Sequence, residues 1–269
     1  MSAAIKELTD LADLRRLADL FAEVWGRPGQ PSVDSDILKA LSHSGNYVSG
    51  AYLDGRLVGG LVGWIGGLPP HELHMHSHIL GVIAGSEARG LGFELKQHQR
   101  TWCLEREIKV MEWTTDPLVR RNVYFNLSKL GAGVSRYLVN FYGEMTDGLN
   151  AGEESDRLLV RWRLDSHEAE EAAAGRSPAL ETDRLIAGGA SAILTVGGSG
   201  EALAVQSWDS RVLLCQVPDD IVGLRHSDPP LARSWRLALR SALTGAIARG
   251  YAISGATRSG WYVLNSQPE

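Results

Sequence analysis

Hydrophobic positions recur along this chain with two periods, and the switches between them outline its elements. Leu14, Leu17, Leu20, Phe21 and Val24 stand at helical spacing within residues 5–25, which predicts an amphipathic helix after a short strand near Ile5. A glycine- and proline-bearing break at 26–31 ends it. Residues 33–41 predict a second short helix, whose Asp34 and Asp36 suit the positive end of its dipole. From Asn46 the pattern becomes strand-like. Residues 47–53 and 56–64, joined by Asp54-Gly55, predict a hairpin, because Asp-Gly supplies the positive φ values that tight hairpin turns need. Residues 79–83 then read as a buried strand, 92–107 as a helix and 108–115 as another strand.

Beyond Gly131, residues 134–141 alternate as a strand. Residues 155–164 do the same, with Leu158, Val160 and Trp162 on one face. The polar, acidic stretch 166–183 reads as a linker or exposed helix, dividing a domain of residues 1–165 from a smaller α/β unit at 184–269. In that unit, residues 192–196, 202–206 and 212–217 predict strands. A helix opens at Asp228-Pro229 and stops at Gly250, and its stripe of Leu231, Trp235, Leu239, Ala242 and Ala246 is a packing face. Residues 251–255 and 261–264 predict a closing hairpin. Strand, loop, long helix, strand repeats the order of 79–115, so the tail is expected to be a degenerate half-copy that packs on the first domain or on a dimer partner. It lacks a Gly-x-Gly at its helix start and is not expected to hold phosphate.

Composition narrows the classes. The 269 residues are 44% hydrophobic, ordinary for a globular protein, and the formal net charge of -5 with scattered basic residues argues against a nucleic-acid binder. Two cysteines, Cys103 and Cys215, and no secretory leader point to the cytoplasm and away from a disulfide framework. No run approaches the roughly 20 apolar residues of a membrane helix.

The chemistry-bearing stretch is Val82 to Gly92. A glycine-bearing turn between a strand and a helix presents unpaired backbone N–H groups at the positive end of a dipole. Glycine at 90 and 92 lets a phosphate approach the backbone, and Arg89 adds a cation beside it. A pyrophosphate is the natural guest. His74, His76 and His78 share one face of an extended chain; they read as structural histidines, as a base beside a substrate cleft, or as metal ligands, and no metal is expected because no Cys-x-x-Cys or His-x-x-x-His accompanies them. Leu91, Leu95, His98 and Trp102 form a core stripe on the helix after the loop.

This stretch resembles the pantetheine and pyrophosphate loop of the GNAT superfamily of N-acetyltransferases, V-x-P-x-x-[QR]-x-x-G-x-[GA], matching its spacing at Val82, Gly90 and Gly92. Lys129-Leu130-Gly131 resembles the family's K-L-G helix end. Ala84 replaces the usual Pro, Glu87 the usual Gln or Arg, and Leu127 the tyrosine that serves the family as general acid. Strings such as Trp113-Thr114-Thr115-Asp116-Pro117-Leu118 are similar to a bacterial branch of predicted acetyltransferases that carries a C-terminal extension.

The resemblance implies a mixed, mostly antiparallel central sheet with flanking helices. It also implies acetyl-CoA or another acyl-CoA as co-substrate, held by Leu80, Val82, Ile83, Arg89, Gly90, Leu91, Gly92 and Asn122. His78 is the expected base and Tyr124 the nearest replacement acid. The expected acceptor is a small-molecule amine, with neither nucleic acid nor membrane as partner. Two rivals stay open: an acyl-CoA-binding enzyme with another reaction, such as decarboxylation, and a non-catalytic acyl-CoA sensor.

Overall fold

A computed structural model describes residues 3–67, 70–83, 85, 90–143, 154–205 and 208–267. The described residues form two compact units, one of 3–113 with 163–165, the other of 114–143, 154–162 and 166–267.

In the first unit, β1 (Ala4–Glu7), β2 (Tyr47–Leu53), β3 (Arg56–Gly66) and β4 (His74–Val82) pair antiparallel in that order. The Asp54-Gly55 turn is the expected one, with φ 48° and 77° at its two residues. β5 (Val110–Thr115) then joins β4 in parallel. Helix α1 (Leu11–Val24) starts where Asp10 caps it, its carboxylate accepting from the Ala12 N–H at 2.8 Å. It buries Leu14, Leu17 and Phe21 in one cluster with Leu38 of α2 (Ser35–His43) and with Val48, Val62 and Ile79 of the sheet. Helix α3 (Leu91–Leu104) buries Leu91, Leu95 and Trp102, and Tyr47 shares a 2.7 Å hydrogen bond with His98.

β3 is rich in glycine because side chains crowd it from both faces. A Cβ on Gly60 would stand 2.2 Å from Leu17 Cδ1 and 2.9 Å from the Ser49 carbonyl oxygen.

The second unit holds α4 (Arg120–Tyr124), a π-helical turn (Phe125–Lys129) and the antiparallel pair β6 (Gly133–Leu138) and β7 (Arg157–Arg163). It continues through α5 (His167–Ala173) and α6 (Thr182–Ala187) to a five-stranded sheet. That sheet is ordered β11 (Tyr251–Ala256), β12 (Trp261–Ser266), β10 (Val212–Gln216), β8 (Ser191–Val196) and β9 (Ala202–Ala204). Helices α7 (Ile221–Ser227) and α8 (Pro229–Ala248) complete it. Asp228 caps α8 by accepting from the Leu231 N–H at 3.1 Å, and Pro occupies its first turn.

A second sheet is present at the C-terminus, but the repeat of strand, loop, long helix and strand expected there is not reproduced in its pairing. One parallel pair lies among antiparallel neighbours, as β4–β5 does among β1 to β5, but it is β8–β10. β12 folds back to pair with β10 and keeps β11 from it.

The compact units do not follow the boundary expected at residue 165. Leu118, Val123, Leu127 and Leu158 are buried in one cluster with Leu213, Trp235, Leu239 and Tyr262. Nor is 166–183 wholly a connector: Ser166 caps α5, and Ala169 and Ala172 are buried there, since short side chains pack closely at little entropic cost.

A buried ion pair ties this unit together. Asp156, fully buried, accepts from Arg240 Nε at 2.8 Å and Nη2 at 2.7 Å, from Tyr137 Oη at 2.6 Å and from the Asn140 N–H at 3.0 Å. Burial alone would raise its pKa, and these donors outweigh that and lower it. Removing the carboxylate leaves the Tyr137 hydroxyl and the Asn140 N–H without their acceptor and Arg240 with Glu154 alone, so Asp156→Ala is expected to cost roughly 3 kcal/mol in urea unfolding at pH 7. The folded pKa lies below the unfolded value of about 3.9, so the stabilisation is complete above that pH and fades as pH falls through the folded pKa. A cost that persisted undiminished at pH 2 would contradict this account.

Candidate functional site

The site begins where two parallel strands part. β4 and β5 pair at only two positions, Met75 with Met111 and His76 with Glu112. Past them β4 runs on to Val82 beside β3 alone. The register between β3 and β4 shifts at this place, Gly63 facing Ser77 while Val62 faces Ile79, so His78 is the extra residue of a bulge. Bulges bend a strand and sharpen its twist, which turns β4 away from a straight ladder. Gly63 permits the bend, because a Cβ there would stand 2.7 Å from the His76 carbonyl oxygen, Met75 Sδ and Gln99 Nε2. The edge of β4 beyond His76 therefore carries backbone groups without a β5 partner, suited to an extended chain bearing amides of its own.

At the far end of that edge stands the start of α3. Gly90 caps the helix in the left-handed conformation, φ 85°, which favours glycine. Its carbonyl accepts from the Phe93 and Glu94 N–H groups at 2.9 and 3.1 Å. The Leu91 and Gly92 N–H groups have no acceptor among the described residues. A Cβ at Gly90 would meet nothing within 4 Å, and one at Gly92 only Leu80 Cδ2, at 3.6 Å. The helix start thus has open space, backbone donors with no acceptor among the described residues and the positive end of a dipole, which fits a diphosphate.

The structure places the expected residues as follows. His78, Leu80, Val82 and Ile83 lie in sequence along β4 and its end: Leu80 faces Leu61, Val82 faces Gly59, and the Ile83 N–H donates to the Val58 carbonyl at 2.9 Å. Gly90, Leu91 and Gly92 form the helix start, with the Leu91 side chain buried. Arg89, with Ala84 and Glu87, lies outside the described residues. Asn122 and Tyr124 belong to α4 of the second unit and are half-buried, with Arg258 Cζ 5.7 Å from the Tyr124 ring centre. Leu127 is buried in that unit's core and offers no proton.

The three histidines share a face, as their alternation implies. Trp64 packs against two of them, its ring centre 4.8 Å from His76 and 4.6 Å from His78. His74 Nε2 reaches Glu112 Oε2 at 3.8 Å. Burial lowers the His76 pKa to about 4, helped by the neighbouring imidazoles of His78 and His74. His78 keeps part of its ring in solvent, and burial of the rest against Trp64 lowers its pKa as well. Both are neutral at pH 7, so His78 has a lone pair free to take a proton. Among the described residues no group of three His, Cys, Asp or Glu is arranged to hold a metal.

On the opposite face the structure shows a cluster that the sequence reading missed. Lys96, 4% exposed, donates to Ser77 Oγ at 2.8 Å, approaches Met111 Sδ at 3.7 Å, and lies 3.7 Å from the Trp113 ring centre. Ser77 in turn donates to Gln99 Oε1 at 2.8 Å. The signal was present in the helix: Lys96, Gln99 and Cys103 follow one another at spacings of three and four, beside the apolar stripe and on the buried side of α3. Burial without a counter-charge brings the Lys96 pKa down to about 7. Its unfolded value is about 10.4, so between those pH values the unfolded chain binds the additional proton and stability rises with pH. Urea melts are expected to show a gain in stability from pH 7 to pH 10 that is absent in Lys96→Met. Equal gains in both proteins would count against a buried, weakly partnered amine.

The chain has likenesses among known proteins. Residues 11–127 match the family model described as Acetyltransferase (GNAT) family. No curated protein matches the chain. Among solved structures, Arabidopsis thaliana Naa50 in complex with the bisubstrate analogue CoA-Ac-MVNAL is 18% identical, with a TM-score of 0.46, over 60% of this chain and 98% of its own. An N-acetyltransferase from Staphylococcus aureus Mu50 is 13% identical, with a TM-score of 0.48, over 61% and 100%. Aminoglycoside 6'-acetyltransferase type Ii is 18% identical, with a TM-score of 0.47, over 61% and 99%.

Proposed function

We propose, from the match of residues 11–127 to the family model described as Acetyltransferase (GNAT) family, that the chain is an acyl-CoA-dependent N-acyltransferase whose acceptor is the amine of a small molecule. The observation that carries the reading is the fork between β4 and β5, which opens toward the glycine-capped start of α3. Acyl-CoA supplies the activated thioester. The Leu91 and Gly92 N–H groups bind its diphosphate, and the edge of β4 from Leu80 to Ile83 aligns the pantetheine amides as an added strand would.

Catalysis is then largely a matter of placement, which by itself supplies several kcal/mol of barrier reduction. An imidazole nitrogen of His78 takes the proton of the incoming ammonium, and a backbone N–H at the bulge polarises the thioester carbonyl. The departing thiolate takes its proton from solvent. The absence of a strongly acidic or basic docking tract supports a small acceptor over a protein.

Leu127 favours one second reading. Because it fills a core position where the family resemblance calls for a tyrosine, a protein that binds acyl-CoA without turning it over is the alternative. Differential scanning fluorimetry with coenzyme A and acetyl-CoA is expected to raise the midpoint. Gly92→Asp, which sets a carboxylate where the diphosphate would lie, is expected to weaken coenzyme binding at least tenfold while melting as the parent does. Across an amine panel, thiol release is expected in the parent and a loss of 10²–10⁴-fold in His78→Gln. Absence of any coenzyme effect would refute the reading, and stabilisation without thiol release would favour the sensor.

A further inference from the structure

Lys96 occupies the base of the fork. The last paired residues are His76 on β4 and Glu112 on β5. The next residue on each strand, Ser77 and Trp113, is one that the Lys96 ammonium touches, at 2.8 Å to Ser77 Oγ and 3.7 Å to the Trp113 ring centre. α3 thus sends a cation from beneath the sheet to the point where the strands separate.

That cation is short of acceptors. Its polar contacts are one hydroxyl, one thioether at 3.7 Å and one aromatic face, with no carboxylate among the described residues. The hydroxyl is already committed to donating to Gln99 Oε1. One turn along the same helix face, Gln99 is fully buried and its Nε2 has no hydrogen-bond partner. Two buried side chains that converge on Ser77 therefore leave donors in excess of acceptors. Burying an ammonium in this way costs several kcal/mol unless an anion meets it.

The fork has a direction. From Val82, beside the helix start, to Ser77 is five residues of β4, about 17 Å at roughly 3.3 Å per residue. A pantetheine arm anchored by its diphosphate at Gly90 to Gly92 and laid along that edge brings its thioester to the neighbourhood of His78. The acyl chain then continues toward the base of the fork, where Lys96 stands.

On the reading given under Proposed function, we propose that Lys96 is the specificity residue for the acyl group, and that the thioester this protein uses carries an acyl chain ending in a carboxylate, with Lys96 as its counter-ion. An acyl chain two carbons beyond the carbonyl, ending in a carboxylate, completes the charge at the base of the fork. An acetyl group ends short of it and leaves the amine unmet.

Succinyl-CoA and butyryl-CoA separate this from simple packing, because they differ chiefly in a carboxylate that replaces a methyl. Isothermal titration of the full chain is expected to show succinyl-CoA binding at least tenfold more tightly than butyryl-CoA. In Lys96→Met that ratio is expected to fall to about one, with affinity for coenzyme A itself unchanged, and Lys96→Gln serves as the second variant should the first fail to fold. Tight binding of coenzyme A with butyryl-CoA equal to or better than succinyl-CoA overturns the role of Lys96 and leaves the coenzyme reading standing. A succinyl preference that survives in the variants also overturns it. Failure of every thioester and of coenzyme A to bind removes both readings together.

Discussion

The brevity of one parallel pairing governs the first unit. Two residue pairs join β4 to β5, and after them a bulge at His78 turns β4 aside while β3 continues to hold its other edge. Backbone donors and acceptors along residues 78–82 are consequently held in extended register with no strand on one side. Such an edge is a liability in most sheets, since it invites pairing by another chain. Here it lies in line with the glycine-capped start of α3, so that the same few residues offer a strand-like edge and an anion seat. The chemistry of a thioester with a diphosphate at one end and amides along its arm answers both.

Holding strands apart needs a rigid frame. Crowding on β3 supplies part of it, because glycine at 60 and 63 lets α1 and α3 press against the sheet closely enough to fix the bend. The cluster of Met75, Ser77, Lys96, Gln99, Met111 and Trp113 lies beneath the fork and mixes apolar packing with unusually few acceptors. A fully apolar plug would stabilise that place better. Retaining a buried amine there is the kind of local cost that accompanies a binding site. The second unit shows the contrasting arrangement, in which a fully buried carboxylate meets a full set of donors.

Much of this was legible from the residues. Capping aspartates at 10 and 228, the Asp54-Gly55 turn and the period of the α1 and α8 stripes specify local structure, and the helices and hairpin form where they direct. The strand, glycine turn and helix around residue 90 were likewise readable, because the chemistry is that of neighbouring backbone. What escaped was non-local. Nothing in the sequence says that β12 rather than β11 lies beside β10, or that Leu118, Val123 and Leu158 share a core with the C-terminal helix. Lys96 was passed over for the same reason: a lysine on an amphipathic helix is ordinarily solvated, and only the partners brought in by β4 and β5 make it exceptional.

The central claim is that the fork and the helix start together form one coenzyme seat. A crystal structure of the chain with bound coenzyme A tests it most directly. The account predicts the diphosphate on the Leu91 and Gly92 N–H groups, pantetheine amides paired along residues 80–83, and the sulfur within reach of His78. A diphosphate bound elsewhere, or β4 and β5 zipped together past His76 and Glu112 with no room between them, would contradict it.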